Sequence, residues 1–320
     1  MAVAEATREL AVPARRERGL WADAFRRLLR NRLAEAAGIF IIGLALSAVF
    51  ADVIAPYEFG VTHLKDNYAS IGSQYWLGAD DLGRDIFSRV VYGARVSVAV
   101  AIVAATVSLI IGITYGLISG YLGGRVDELM MRLVDFIYGL PLIIVVILLQ
   151  VYFKAIARRG EATGLGGAVI GLNAAFGGLF FVFVAMGALN WIGMARITRG
   201  QVLSLKEKEF IEAARMIGAS LPRIIFRHLL PNILGACIVQ ETLQIPGYIM
   251  LEAFLSFIGL GVDPPTPSWG IMIQEGYQAL RSYPHVLFPP AIALSLTVLA
   301  FNFLGDGLRD AFDPRLRGAQ

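Results

Sequence analysis

The apolar runs of this chain decide its class. Around residues 94–118 the only charged side chain is Arg95, at the rim of the run. Roughly 18 or more such residues suffice to cross a bilayer core. Comparable runs fall near 33–54, 134–153, 174–195, 232–258 and 286–305. In hydrocarbon every backbone N–H and C=O must find an internal partner, which leaves helices or a closed barrel. The runs are continuous, without the ten-residue alternation of barrel strands. The expected fold is all-α, a polytopic membrane helical bundle with six transmembrane helices.

Composition agrees. The chain is 57% hydrophobic and only 17% charged, where a soluble domain carries about 25% charged residues. A pI near 9.0 would suit nucleic acid, but the arginines flank the apolar runs. There they set topology and meet lipid headgroups, so the lipid bilayer is an expected partner and nucleic acid is not. The lone cysteine, Cys237, lies inside an apolar run and excludes an intrachain disulfide. His63, His228 and His285 are scattered and have no metal-ligand spacing. There is no Gly-Lys dipeptide, hence no phosphate-cradling loop. With no nucleophile–base arrangement either, no catalytic residue, metal site or bound cofactor is expected.

Lys and Arg fix the orientation. With the N-terminus inside, segments 1–32, 119–133, 196–231 and 306–320 hold 20 of the 28, and the opposite connections hold 7. Both termini are therefore expected in the cytoplasm. Residues 1–18 read as a polar tail, disordered or tag-like. "GLWADAFRRLLRNRL" reads as an interfacial helix with Trp21, Phe25, Leu28 and Leu29 near one face. The first run continues past a faint cleavage-like Ala45-Leu46-Ser47, which favours an uncleaved span. The expected layout is a tail and interfacial helix (1–32), a first span and extracytoplasmic loop (33–92), a five-span core (93–307) and a cytoplasmic tail (308–320). The Gly-rich stretch 154–178 puts three positive charges on the outer side and receives no role.

The connection 196–231 holds "EFIEAARMIGASLPRIIFRHLLPN". Phe210, Ala213, Ala214 and Ile217 recur at helical spacing. Gly218 stops that helix, and Ser220 can cap a second one with Pro222 in its first turn. Leu221, Ile224, Ile225 and Leu229 form its apolar side, and Pro231 ends it where the fifth span begins. Two short helices would make a projecting knob. It either lies on headgroups or seats in a groove of a cytoplasmic partner, with Ala213, Ala214 and Gly218 allowing close approach and Glu212 and the arginines orienting the dock.

In the fifth span Glu241, Gln244, Tyr248 and Glu252 share one helical face, and Pro246-Gly247 interrupt it. Ionisable groups at membrane depth face a bundle interior or a water-filled cavity. This stripe either lines a translocation path suited to an amine or metal cation, or hydrogen-bonds neighbouring helices or a partner. Asp80, Asp81 and Asp85 are interleaved with Arg84 and Arg89, which favours a structural or partner-facing loop over a metal site. "GVDPPTPSWG" is an outer loop with Trp269 as an interfacial anchor. Asp306, Arg309, Asp310 and Arg315 read as a cytoplasmic cap or a further contact with a partner.

Glu212-Ala213-Ala214, Gly218 and His228-Leu229-Leu230-Pro231 resemble the EAA loop of binding-protein-dependent ABC importer permeases. "YWLGADDLGRDIFSRVVYGARVS", "LSFIGLGVDPPTPSWG" and "LGDGLRDAFDPRLR" are similar to signatures of its C-type dipeptide, oligopeptide and nickel subunits. His228 stands where the family pattern usually has isoleucine, and the 160–178 insert departs from the family's shorter connection. The resemblance implies a type I ABC importer permease fold in a prokaryotic inner membrane. It implies coupling to ATPases through Phe210, Glu212, Ala213, Ala214, Arg215, Gly218, Leu230 and Pro231. The implied partners are a second permease, two ATP-binding subunits that use ATP and Mg, and an extracytoplasmic substrate-binding protein. It implies peptides as substrate, or nickel chelates, glutathione or another small solute. Glu252 falls at a position commonly acidic in that family, Glu241 at one that is not. A secondary transporter is a distant alternative, weakened by the lack of a convincing internal repeat.

Overall fold

The computed structural model describes residues 20–159, 165–175 and 180–313. The tail 1–18, part of the Gly-rich stretch and Arg315 lie outside them. In chain order the helices of eight or more residues are α1 (Leu20–Leu28), α2 (Arg32–Val49), α3 (Ile86–Leu122), α4 (Gly124–Tyr138), α5 (Leu142–Arg159), α6 (Leu165–Ala175), α7 (Phe180–Leu205), α8 (Glu209–Met216), α9 (Leu230–Phe257), α10 (Trp269–Ala279) and α11 (Phe288–Phe312). Among the described residues no strand forms, and a lone bridge joins Ala79 and Asp85.

Local chemistry sets the ends. The Asp85 carboxylate accepts the Ser88 amide at 2.8 Å and starts α3, which runs 37 residues to Gly123 at φ +66°. Asn31 caps α2 by accepting from the Leu33 and Ala34 amides. Four helices are long and apolar enough to cross a bilayer alone: α2, α3, α7 and Pro284–Phe312, which contains α11. Most of α4 and α5 pass only as a pair bent by 77°, so the spans number four, or five with that pair. The expected six are not all met. The third run breaks where Pro141, which has no N–H to donate, follows Gly139 and Leu140. The fifth, α9, has 28 residues, ample at about 1.5 Å each, but its Gln and Glu face lowers its apolarity.

Small residues bring the helices together. On α3 a Cβ at Gly116 would stand 2.5 Å from the Ala195 carbonyl of α7, and one at Gly120 2.9 Å from Val202. The absent side chains let the two backbones meet. On the other side of α9, a Cβ at Gly305 of α11 would stand 2.6 Å from Leu243. At one end of the bundle Phe312 reaches Gly235, and Leu28 of α1 reaches Gly307. Ala24 of α1 is buried there, with Phe25 and Leu29 exposed. The start of α9, the end of α11 and α1 thus share an end.

The expected two-helix knob differs from what forms. Helix α8 stops at Gly218, whose φ is +79°. Ser220 has extended, cap-like backbone, but its side chain makes no capping bond. The turn Leu221–Arg223 passes into a π-helical turn, Ile224–Leu229, and then directly into α9. Pro231 does not end a helix; it lies in the first turn of α9, directly after the π-helical turn that has already shifted the bonding register. The second half of the knob is therefore continuous with the fifth apolar helix.

Candidate functional site

Helix α9 runs unbroken through Pro246 and Gly247 and lies antiparallel to α3. Near one end Glu252 accepts Ser97 Oγ at 2.8 Å and Ser256 Oγ at 2.7 Å. Eleven residues back along α9, Glu241 accepts Tyr248 OH at 2.8 Å and Ser108 Oγ at 3.2 Å, and Ser108 is eleven residues beyond Ser97. The equal spacing puts both carboxylates on one seam facing α3. Both are buried, 3% and 1% exposed. No Lys or Arg among the described residues pairs with either.

A cavity of about 150 Å³ opens beside this seam. Its walls include Tyr138 and Leu142 at the α4–α5 elbow, Asn190 and Met194 on α7, and Gln240, Glu241, Gln244 and Tyr248 on α9. Three of the four predicted stripe residues therefore share one cavity. Glu252 is apart, held among the serines.

The predicted coupling residues gather at the end of the bundle where α9 begins. Ile211 turns inward and packs with Leu117, Val202, Ile224 and Leu229, and Ala214 is buried beside it on the same helix. Glu212, Ala213, Arg215 and Gly218 are exposed, Leu230 is half-buried and Pro231 is exposed. Phe210 and Phe226 are exposed, and Met216 and Ile217 are 89% and 85% exposed, so the tip is apolar. The Arg215 guanidinium lies 5.3 Å from the Tyr121 ring centre, and Lys206 Nζ donates to Gly120 O at 3.0 Å. These contacts tie α8, and the segment that joins it to α7, to the last turn of α3. From Leu230 to Glu241 α9 is continuous, about 16 Å along its axis.

At the other end Arg84 Nε bonds Asp80 at 2.7 Å and its NH2 group bonds Glu275 of α10 at 3.2 Å. Arg89 bonds Glu275 at 2.7 Å and also pairs with Asp80. Asp80 is thus held in ion pairs that tie the loop before α3 to α10, Asp81 lies 3.4 Å from Arg84, and Asp85 caps α3. Burial opposes the charge of Arg84, but Asp80 and Glu275 outweigh it, and its pKa is raised. Burial, then the neighbouring Asp80 charge, raises that of Asp81.

Ser97, Ser108 and Glu275 escaped the sequence reading, as did Asp127 of α4 and Arg199 of α7, which form an ion pair at 2.6 Å. The serines had a legible signal, a spacing equal to that of Glu241 and Glu252. The ion pairs join segments far apart in the chain and had none.

Residues 112–318 match the sequence family described as binding-protein-dependent transport system inner membrane component. The chain belongs to that family. Residues 19–70 of the permease also match the N-terminal transmembrane domain of oligopeptide transport permease C. The permease is 42% identical to the oligopeptide transport system permease protein OppC of Bacillus subtilis (strain 168), over 93% of this chain and 90% of that one. It is 43% identical to the dipeptide transport system permease protein DppC of the same organism, over 92% and 86%. It is 41% identical to the glutathione transport system permease protein GsiD of Escherichia coli O6:K15:H31, over 93% and 91%. Among solved structures, a chain of the inward-facing MetNI methionine ABC transporter matches with a TM-score of 0.51 and 21% identity, covering 71% of this chain and 97% of that one. At that identity the likeness is one of fold.

Proposed function

We propose that this permease forms half of the translocation path of an ATP-driven importer of peptides in a prokaryotic inner membrane. The observation that carries the reading is identity above 40% to oligopeptide and dipeptide permeases across more than nine-tenths of the chain. Glutathione is the second reading, because a glutathione permease is 41% identical over a similar length. Six spans, with both termini cytoplasmic, are the topology proposed. The charge distribution supports it, as does the shared end of α1, α11 and the knob.

The remaining subunits are a second permease, two ATPases that use ATP and Mg, and an extracytoplasmic binding protein. The ATPase would seat the exposed face of α8 around Phe210, Glu212, Ala213, Arg215 and Gly218. Buried Ala214 would support that helix from behind. Because α9 is continuous from Leu230 and Pro231 inward, displacement of the knob would move Glu241, Gln244 and Tyr248 with it. Those three are the proposed path residues on the cavity. For Glu252, enclosed by Ser97 and Ser256, the hydrogen-bonded alternative has the better support. ATP closure shifts the permease only as far as the ATPases hold the knobs differently in the two states.

The test is co-purification of the tagged permease from mild detergent, wild type beside Gly218→Asp. Wild type should bring down ATPase subunits and a second permease, and the variant should lose the ATPases. Vesicles holding the whole complex should then take up labelled peptides with ATP. Wild type without ATPase, or uptake driven by an ion gradient alone, would overturn the reading.

A further inference from the structure

Glu241 and Glu252 are both buried, yet their surroundings differ in kind. Each oxygen of Glu252 accepts a serine hydroxyl, from Ser97 on α3 and from Ser256 on its own helix. Glu241 is less completely engaged. Tyr248 OH donates to Oε1, while Ser108 Oγ lies within reach of both Glu241 Oε2 and the Asn190 carbonyl, each at 3.2 Å. A serine hydroxyl has one proton, so it serves one of these acceptors at a time, whereas a carboxylate offers about four lone-pair sites.

Glu241 also forms part of the 150 Å³ cavity wall, together with Gln240, Gln244 and Asn190. The Asn190 amide is engaged with Met186 O at 2.7 Å. Among the described residues no hydrogen bond engages the side-chain amides of Gln240 and Gln244, and Gln244 is exposed. A carboxylate with spare acceptor sites thus faces a cavity that holds unengaged amide oxygens. Among the described residues no cationic side chain offsets its charge. At membrane depth such a charge is costly unless something neutralises it.

We propose that Glu241, with Tyr248 and the amides of Gln240 and Gln244, forms an ammonium-binding subsite in the permease itself. It would take the free amino group of the transported molecule. The ammonium has three donors and no acceptor, which suits one carboxylate and two amide oxygens. The volume holds an ammonium and its adjoining atoms but not a whole peptide, so the rest of the substrate stays outside this chain's pocket. That the substrate is a peptide rests on the function proposed above; the preference for a cation does not.

The test separates the two. In membranes holding the assembled transporter, Gln244→Cys is placed in a Cys237→Ser background. The new thiol is then modified with cationic aminoethyl or anionic sulfonatoethyl methanethiosulfonate. The cationic reagent is expected to react faster by on the order of tenfold, relative to the same pair of reagents on a free thiol in solution. Adding Glu241→Gln should bring the ratio down to the solution value, and Glu241→Asp should keep most of it. A ratio unchanged by Glu241→Gln, or a thiol at position 244 that neither reagent reaches, overturns the subsite. In parallel, vesicles are offered labelled peptides with free and with acetylated amino termini. Uptake of neither by the wild type overturns the peptide reading, and the reagent ratio still decides the subsite.

Discussion

Arg199 of α7 grips Asp127 of α4 through two hydrogen bonds, Nε and one terminal nitrogen each 2.6 Å from a carboxylate oxygen. Ser119, in the last turn of α3, donates to the same carboxylate. The fork therefore ties together three helices at the end where α8 is attached. A lysine has a single nitrogen and cannot reproduce two parallel bonds. Arg199→Lys should lower the stability of the detergent-solubilised complex by about 1 kcal/mol and Arg199→Ala by about 2 kcal/mol. Thermal melting checks both. Equal melting temperatures for wild type and Arg199→Ala would show that the fork carries no stability.

The close approach of α3 and α7 gives a prediction with opposite signs at two glycines. A Cβ at Gly116 would stand 2.5 Å from both the Ala195 carbonyl and Thr198 Cβ, with nowhere to move. Gly116→Ala should cost about 1–3 kcal/mol through overpacking. Gly200, on the same α7, has nothing within 4 Å of its would-be Cβ. Gly200→Ala should raise stability by up to about 1 kcal/mol, the helix-propensity difference. The same melting assay reads both, and a shared sign would contradict the packing.

How much of this was legible follows from which forces act locally. The apolar runs around α2, α3, α7 and α11 could be read because hydrophobicity along the chain reports burial in lipid. The stop at Gly218 could be read because only glycine adopts its φ of +79° without strain. The α4–α5 elbow was written in the sequence as Gly139 and Pro141, yet a 77° bend hid inside an apparently continuous apolar run. The π-helical turn leading into α9 was not legible, since Pro231 reads alike as a helix end and as a helix start. Stripe residues could be placed on one face by spacing. Which of them meets a cavity depended on where α4, α5 and α7 pack, and that is tertiary.

The ion-pair cluster before α3 should be strongly asymmetric. Asp80 is 1% exposed and bridges Arg84 and Arg89, each also paired with Glu275. Asp80→Ala leaves two buried guanidiniums with fewer partners and should cost about 3–5 kcal/mol. Asp81 is much more exposed and its pKa is raised, first by burial and then by Asp80. A carboxyl whose folded pKa is raised favours folding while protonated and loses that contribution as pH rises through the folded pKa. Asp81→Asn should therefore melt higher than wild type at neutral pH. That advantage should vanish as pH falls through the ordinary carboxyl value of 3.8. A pH-independent difference would mean that Asp81 acts through geometry and not charge.

The turn after α8 allows backbone strain to be separated from crowding. Gly218 has φ +79° and nothing within 4 Å of where a Cβ would sit, so within this chain a substitution there meets only the cost of conformation. Asn tolerates this region best among side chains, Ala costs about 1 kcal/mol, and a β-branched residue more. Uptake by the assembled transporter should fall in the order Gly, Asn, Ala, Val at position 218, with ATPase recovery on co-purification falling in parallel. If the substitutions instead ranked by size or polarity, the left-handed turn would not be what holds α8 in place. A full-strength Gly218→Val would remove the turn from the coupling scheme altogether.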